Sequence, residues 1–275
     1  GHSIKERLVS LGASPDIHIS ILNDTVSTLL GGFAHSKLKG IPYDSYAGLV
    51  FGTGINMAYV EELENITKLP TDFKGPGPML INTEAGNYNA DNLTSVDKII
   101  DQGSQFPGTY AFEKQTSGRY MGPQVYFTLK QAIEAGLFSE GFAQGFKKFE
   151  TLEAVQLDQF LKSPTGKNPL AGLCRTFEDR ENLYILIDNA YERAARYLAI
   201  LFLAVHKKTG KGTSPVMPLA FTVEGSSFYK SKLIRPKMFY YTRWLEDNFG
   251  YYSELLQVAD CNILGSAMAA LVKND

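Results

Sequence analysis

A chain of 275 residues with 44% hydrophobic content can bury a substantial core, as one large domain or two modest ones. Its 27 lysines and arginines against 29 aspartates and glutamates give no basic field, which argues against nonspecific binding to nucleic acid or to an anionic membrane but leaves room for a local anion site. It carries no internal repeat and no low-complexity segment.

Gly1-His2 reads as an expression scar, and residues 4–11 open the chain with helical spacing that stops at Gly12. Pro15-Asp16 then breaks the chain before residues 17–22, an apolar run predicted as a β-strand that delivers Asn23-Asp24-Thr25 at its carboxyl end. Ligands of open α/β sheets sit beyond the carboxyl ends of strands, so Asp24 is placed to touch a substrate. The competing reading is that Asn23 or Asp24 merely caps the following helix. That helix covers residues 25–37 and contains Gly31-Gly32, each costing about 1 kcal/mol relative to alanine. Close packing against a sheet would account for them. Residues 47–62 read as a hairpin about Gly52-Thr53-Gly54, residues 65–80 as a loop, and residues 79–83 as a strand with Glu84 at its end. Short helices follow at 93–103, 120–134, 142–149 and 152–161, then an exposed crossover at 163–169 and a long buried helix at 181–208. Strands at 217–223 and 251–258 alternate with helices at 230–249 and 262–272, and this alternation favours an α/β layer architecture.

Cys174 and Cys261 are far apart and form no Cys-x-x-Cys pair, so reduced core thiols and a cytoplasmic setting are expected. His2, His18, His35 and His206 lack zinc-ligand spacing, and no metal-ligating set is expected. No signal peptide pattern opens the chain, and its most apolar helical run, 197–205, is far shorter than the roughly 20 residues that span a bilayer; no membrane partner is expected.

The hairpin carries chemistry. Its glycines let backbone N–H groups converge on an anion, with the Thr53 hydroxyl as a further donor, although plain two-strand turns also use Gly-x-Gly. It stands in an ordered series: Asn23-Asp24-Thr25-Val26-Ser27-Thr28, the run from Gly48 to Glu62, then Asn82-Thr83-Glu84 with Gly86, then Phe112-Glu113-Lys114 with Ser117-Gly118, Tyr120 and Gly122. This series resembles the hexokinase family, in its large (C-terminal) lobe and of bacterial type. The resemblance covers nearly the whole chain from Ile4, with specific motifs up to Gly122 and weaker ones from there to Val216.

The resemblance implies an α/β fold, the ribonuclease-H-like large lobe of actin-like sugar kinases with added helices, over residues 3–275. The small lobe, with its own phosphate hairpin, is absent from this chain. The implied activity is ATP-dependent phosphorylation of a hexose, glucose first, at its 6-hydroxyl, with Mg²⁺ offsetting phosphate charge. Asp24 would be the base, and Asn23, Asn56, Glu84 and Glu113 would meet sugar hydroxyls, as carboxylates and carboxamides can. Gly52, Thr53 and Gly54 would hold phosphate. Glu224-Gly225-Ser226-Ser227 resembles the family's adenosine turn, which assigns Gly225 and Ser226 to the nucleotide, with Glu224 in place of an aspartate. Gly265, in the closing helix, would flank it. Tyr110 stands upstream of Glu113 where the family has glutamine. Without the second half of the clamp, the chain is expected to fold as a lobe but to be inactive alone. Two other readings remain at this stage, a noncatalytic hexose or nucleotide sensor and an actin-like ATPase, because one scaffold hosts many functions.

Overall fold

Alternation of apolar side chains along each strand builds a mixed sheet that can be covered on both faces. In the computed structural model, which describes residues 2–17, 19, 21–70, 75–89 and 92–271, the strands are β1 (Ser45–Phe51), β2 (Ile55–Glu62), β3 (Pro78–Asn82), β4 (Leu219–Glu224) and β5 (Ser253–Leu256). Their order is β3-β2-β1-β4-β5. β1 and β2 form the expected hairpin, β3 pairs antiparallel with β2, and β4 and β5 add in parallel on the other side of β1. The helices are α1 (His2–Ser10), α2 (Asp24–Lys39), α3 (Ser95–Gln102), α4 (Ala111–Thr116), α5 (Gly118–Glu134), α6 (Glu140–Phe146), α7 (Ala154–Lys162), α8 (Phe177–Thr209), α9 (Ser226–Tyr229), α10 (Ile234–Phe249) and α11 (Cys261–Leu271).

Side chains split by parity. Ala47, Leu49, Phe51, Met57, Phe221 and Val223 face a large core closed by α8, where Phe202 stacks on Phe221 with ring centroids 3.8 Å apart. Tyr46, Ala58 and Ala220 face a smaller core under α2, with Val26 and Leu29. The long periodic helix of the sequence is therefore α8, buried along the stripe from Leu183 to Val205. The paired glycines of α2 are explained by contact on two sides. A Cβ on Gly32 would lie 1.7 Å from Thr222 Oγ1 of β4, and one on Gly31 would lie 2.2 Å from the Cys261 carbonyl of α11.

The strand expected at residues 17–22 does not form among the described residues, His18 and Ser20 lying outside them. β1 is flanked by β2 and β4, so the run does not add beside β1, and its described residues pair with no strand of the sheet. Ile21 is 80% exposed. Asp24 accordingly stands at the first turn of α2 and not at a strand's end, with Asn23 as the cap. α2 still brings it to the carboxyl end of β1. Thr25 O overlies Gly48, while Phe33, two turns on, packs edge-to-face on Tyr46, so the helix runs back along the strand from that end.

α11 anchors the start of α2. Ser27 Oγ donates to Asn262 O at 2.7 Å and meets Ser266 Oγ at 3.0 Å, and Thr28 Oγ1 donates to Asn262 Oδ1 at 2.9 Å. A Cβ on Gly265 would lie 1.9 Å from Ser27 O, a backbone atom that cannot turn aside. Gly265→Val should therefore push α11 off α2 and cost about 1–3 kcal/mol, the usual penalty for overpacking. Thermal unfolding of the variant beside the parent checks this, the expected result being a midpoint lower by several degrees.

Candidate functional site

The turn at Gly52-Thr53-Gly54 touches the Glu113–Gly118 and Gly225–Ser227 segments. Gly52 is buried, and its carbonyl accepts Gly118 N–H at 2.9 Å and Ser227 Oγ–H at 3.0 Å, fastening the turn to α5 and α9. Gly54 faces Glu113: a Cβ there would lie 2.7 Å from Glu113 Oε2, and the same oxygen accepts Ile55 N–H at 3.4 Å. Thr53 remains exposed at the tip. Of the three residues expected to cradle phosphate, the two glycines thus have packing duties, and Thr53 offers the free hydroxyl. Gly225, at φ 119°, packs on the end of β1, where a Cβ would lie 2.2 Å from Phe51 O, and Ser226 beside it is exposed.

Asn56, Glu84 and Glu113 come together about the start of β2. Asn56 Nδ2 donates to Asn82 Oδ1 at 2.7 Å, and Asn82 Nδ2 donates to Glu84 Oε1 at 2.6 Å. Asn56 Oδ1 accepts the N–H groups of Met57 at 2.8 Å and Ala85 at 3.2 Å. These partners fix the Asn56 amide with one Nδ2 proton left to give. Glu84 holds an exposed carboxylate on a left-handed residue, φ 50°, a conformation that costs energy outside glycine and asparagine and is concentrated at functional sites. Glu113 is half-buried. Loss of hydration pushes its carboxyl up from the ordinary value, against the opposing pull of the Ile55 N–H and the Arg119 and Lys114 charges.

Asn23 and Asp24 sit at the opening turn of α2. Asn23 Oδ1 caps the helix, accepting Thr25 N–H at 2.9 Å and Val26 N–H at 3.4 Å, so its oxygen is spent on the backbone and only its amide N–H group is left for a ligand. Asp24 is exposed and uses Oδ1 alone, toward Thr25 N–H at 2.7 Å and Thr25 Oγ1–H at 3.2 Å. Gly265 lies in the α2–α11 contact, its missing side chain making room for Ser27 O. Glu224 turns toward α11, where its Oε2 accepts the Cys261 thiol at 3.1 Å; burial first, and this carboxylate second, push that thiol up to about 12.

Asn82 is the member the sequence reading passed over. It ends β3, and the register Ala58↔Asn82 sets it diagonally across from Asn56.

A mixed sheet bearing a glycine hairpin, a strand-end Gly-Ser turn and a cluster of amides and carboxylates defines the class of actin-like sugar kinases. Solved structures agree on the fold. A hexokinase from Schistosoma mansoni complexed with glucose superimposes with a TM-score of 0.70 at 21% identity, covering 91% of this chain and 57% of that one. A glucokinase of the ROK family from Streptomyces griseus, in complex with glucose and AMPPNP, gives 0.52 at 13%, covering 96% and 71%. The hexokinase family model matches residues 46–272, and the chain belongs to the hexokinase family. Among its relatives, Hexokinase-1 of Nicotiana tabacum is 39% identical over 212 residues, 72% of this chain and 41% of that protein. Hexokinase-7 of Oryza sativa is 37% identical over 210 residues, 72% and 44%. These relatives are eukaryotic, and the chain spans less than half the length of either.

If Asn82 holds this cluster, Asn82→Ala frees Asn56 Nδ2 and Glu84 Oε1 together, and each loses a hydrogen bond of about 1 kcal/mol net. The variant should lose about 1–2 kcal/mol of stability. Thermal unfolding beside the parent checks this, the expected result being a lower midpoint.

Proposed function

We propose that this chain is the large lobe of an ATP-dependent hexokinase, and that the whole protein transfers phosphate to the 6-hydroxyl of a hexose, glucose first among candidates. The observation that carries this reading is the unspent carboxylate oxygen of Asp24, on a helix start locked by α11 at the sheet end where Asn56, Glu84 and Glu113 gather. Sugar kinases need that combination. A hydroxyl is a weak nucleophile near neutral pH, and a positioned carboxylate that takes its proton as the new bond forms speeds transfer by about 10²–10⁴-fold.

In this reading Asp24 Oδ2 faces the 6-hydroxyl, and the ring hydroxyls meet the free proton of Asn56 and the carboxylates of Glu84 and Glu113. The Asn23 amide N–H group adds a donor beside Asp24. Glu113 accepts a hydroxyl proton best when ionised, so its raised pKa predicts weakening of sugar binding at higher pH than an ordinary glutamate would give, as pH falls.

ATP with Mg²⁺ supplies the phosphoryl group when bound. The strand-end turns suit such a ligand. Gly52 and Gly225 allow the two turns to meet with a Cα 3.9 Å from where a Gly52 side chain would begin, and the hydroxyls of Thr53 and Ser226 stand exposed beside them. Among the described residues no group of three or more histidines, cysteines, aspartates and glutamates is placed to hold a metal, so Mg²⁺ would arrive on the nucleotide phosphates. The small lobe of the same protein would close the other side of the site and exclude water. Both cysteines are free thiols, which supports a reducing, cytoplasmic setting.

In the full-length protein, Asp24→Ala should lower kcat by about 100-fold or more, while glucose affinity stays within about tenfold of the parent, since a base acts mainly in the transition state. A coupled phosphorylation assay with parallel calorimetry measures both, and this chain alone, assayed beside the whole protein, should transfer little phosphate. A near-normal kcat in Asp24→Ala would remove Asp24 as the base, and glucose binding without turnover in the parent would favour a sensor.

A further inference from the structure

Beside Glu113 the chain builds a cleft of about 530 Å³, within the usual range for small-molecule sites. The α3–α4 loop, residues 103–110, forms one wall and the first half of α5 the other. This loop wall is pinned. Lys114, only 3% exposed, donates to Asp101 Oδ1 at 2.6 Å and to Phe106 O at 2.7 Å, and both Asp101 oxygens accept Gly108 N–H at 3.1 and 3.0 Å. Asp101 is held below the usual carboxylate range mainly by the Lys114 hydrogen bond. Lysine and aspartate therefore neutralise each other under the loop, and neither charge is available to a ligand.

Two charges in the cleft remain. Glu113 turns Oε2 toward the Ile55 N–H, at the sugar cluster. Arg119, in the first turn of α5, is exposed, has no carboxylate within ion-pair distance among the described residues, and lies over the Tyr120 ring at 5.8 Å. Phe106 and Tyr110 face each other edge-on across the mouth with centroids 6.4 Å apart, and Tyr110 is held at φ 54°. Of the residues assigned to the hexose, Glu113 lines this cleft, whereas Asp24, Asn56 and Glu84 do not. The space thus continues the sugar site from the group that reads ring hydroxyls, and not from the group that takes the proton of the 6-hydroxyl.

We propose that this cleft is a subsite for an anionic substituent carried by the hexose at the end opposite its 6-hydroxyl. The inference rests on the hexose reading above. Arg119 feels the Glu113 carboxylate across the cleft but makes no ion pair with it, so its guanidinium keeps a planar fork that matches the oxygens of a phosphate or carboxylate, and aromatic walls suit the faces of a sugar ring. The pinned loop means that the pocket stands ready without rearrangement. Tyr110 supplies an aromatic edge and a hydroxyl at the mouth.

The test uses the full-length protein and calorimetric binding of glucose, of glucose 1-phosphate, and of inorganic phosphate. Glucose 1-phosphate should compete with glucose. In Arg119→Ala its affinity should fall by about 10- to 100-fold, the worth of a charge-assisted hydrogen bond, while glucose affinity changes by less than about twofold. Arg119→Lys should recover part of the loss, since lysine keeps the charge and loses the fork. Equal glucose 1-phosphate affinity in the parent and Arg119→Ala would overturn the proposal. Arg119-dependent binding of inorganic phosphate without competition between glucose 1-phosphate and glucose would also overturn it, because the cleft would then be an anion site separate from the sugar. Absence of glucose binding in the parent would instead strike the hexose reading itself.

Discussion

The turn between β1 and β2 can take its place only where its neighbours meet no side chain. Gly52 offers its carbonyl to Gly118 N–H and Ser227 Oγ–H, and Gly54 makes room for the Glu113 carboxylate. Gly86 presses against the Ile55 carbonyl, where a Cβ would lie 2.9 Å away, and Gly118 would place one 2.8 Å from Gly52 O. Three segments distant in sequence, about Gly86, Glu113–Gly118 and Gly225–Ser227, thus converge on the hairpin from Gly52 to Ile55. Backbone atoms do not yield as flexible side-chain ends do, so the approaches of Gly86 to Ile55 O and of Gly118 to Gly52 O hold these segments tightly against the turn.

A second fixed point lies across the sheet end. α11 grips the first turn of α2 through Ser27, Thr28 and Gly265, and the Asn23 cap orders the helix start that carries Asp24. Preorganisation of this kind matters for phosphoryl transfer, in which positioning and electrostatics do most of the work. The carboxylates of Asp24 and Glu84 are nevertheless exposed in this chain. Water screens an open site, and a second lobe closing over it would strengthen each of these interactions.

Much of the fold was legible because its signals are local. The hairpin, α2 with its Gly40 stop, the body of α8 with its Gly210 stop, and the alternation around β4 and β5 follow from apolar period and punctuation, whereas the first turn of α8, from Phe177, lies ahead of the expected start at residue 181. Residues 17–22 misled because an apolar run specifies a strand only where it pairs, and the described residues of this run join none of the five strands of the sheet. In the site, the glycines were legible as positions but not as duties. Whether Gly54 cradles phosphate or clears Glu113 depends on a side chain 59 residues away. Asn82 escaped for a related reason: its bonds to Asn56 and Glu84 arise from cross-strand register, which a single strand's pattern does not display. Gly265 was assigned to the nucleotide by the family resemblance alone, and its packing against the backbone of α2 was not visible in the sequence.

The central claim is that the hairpin turn and the start of α2 together present one hexose site. A crystal structure of the full-length protein with glucose bound tests it most directly. The account predicts a glucose whose 6-hydroxyl lies within hydrogen-bond distance of the Asp24 carboxylate and whose ring hydroxyls contact Asn56, Glu84 and Glu113. A glucose bound elsewhere, or bound here with its 6-hydroxyl turned away from Asp24, would contradict it.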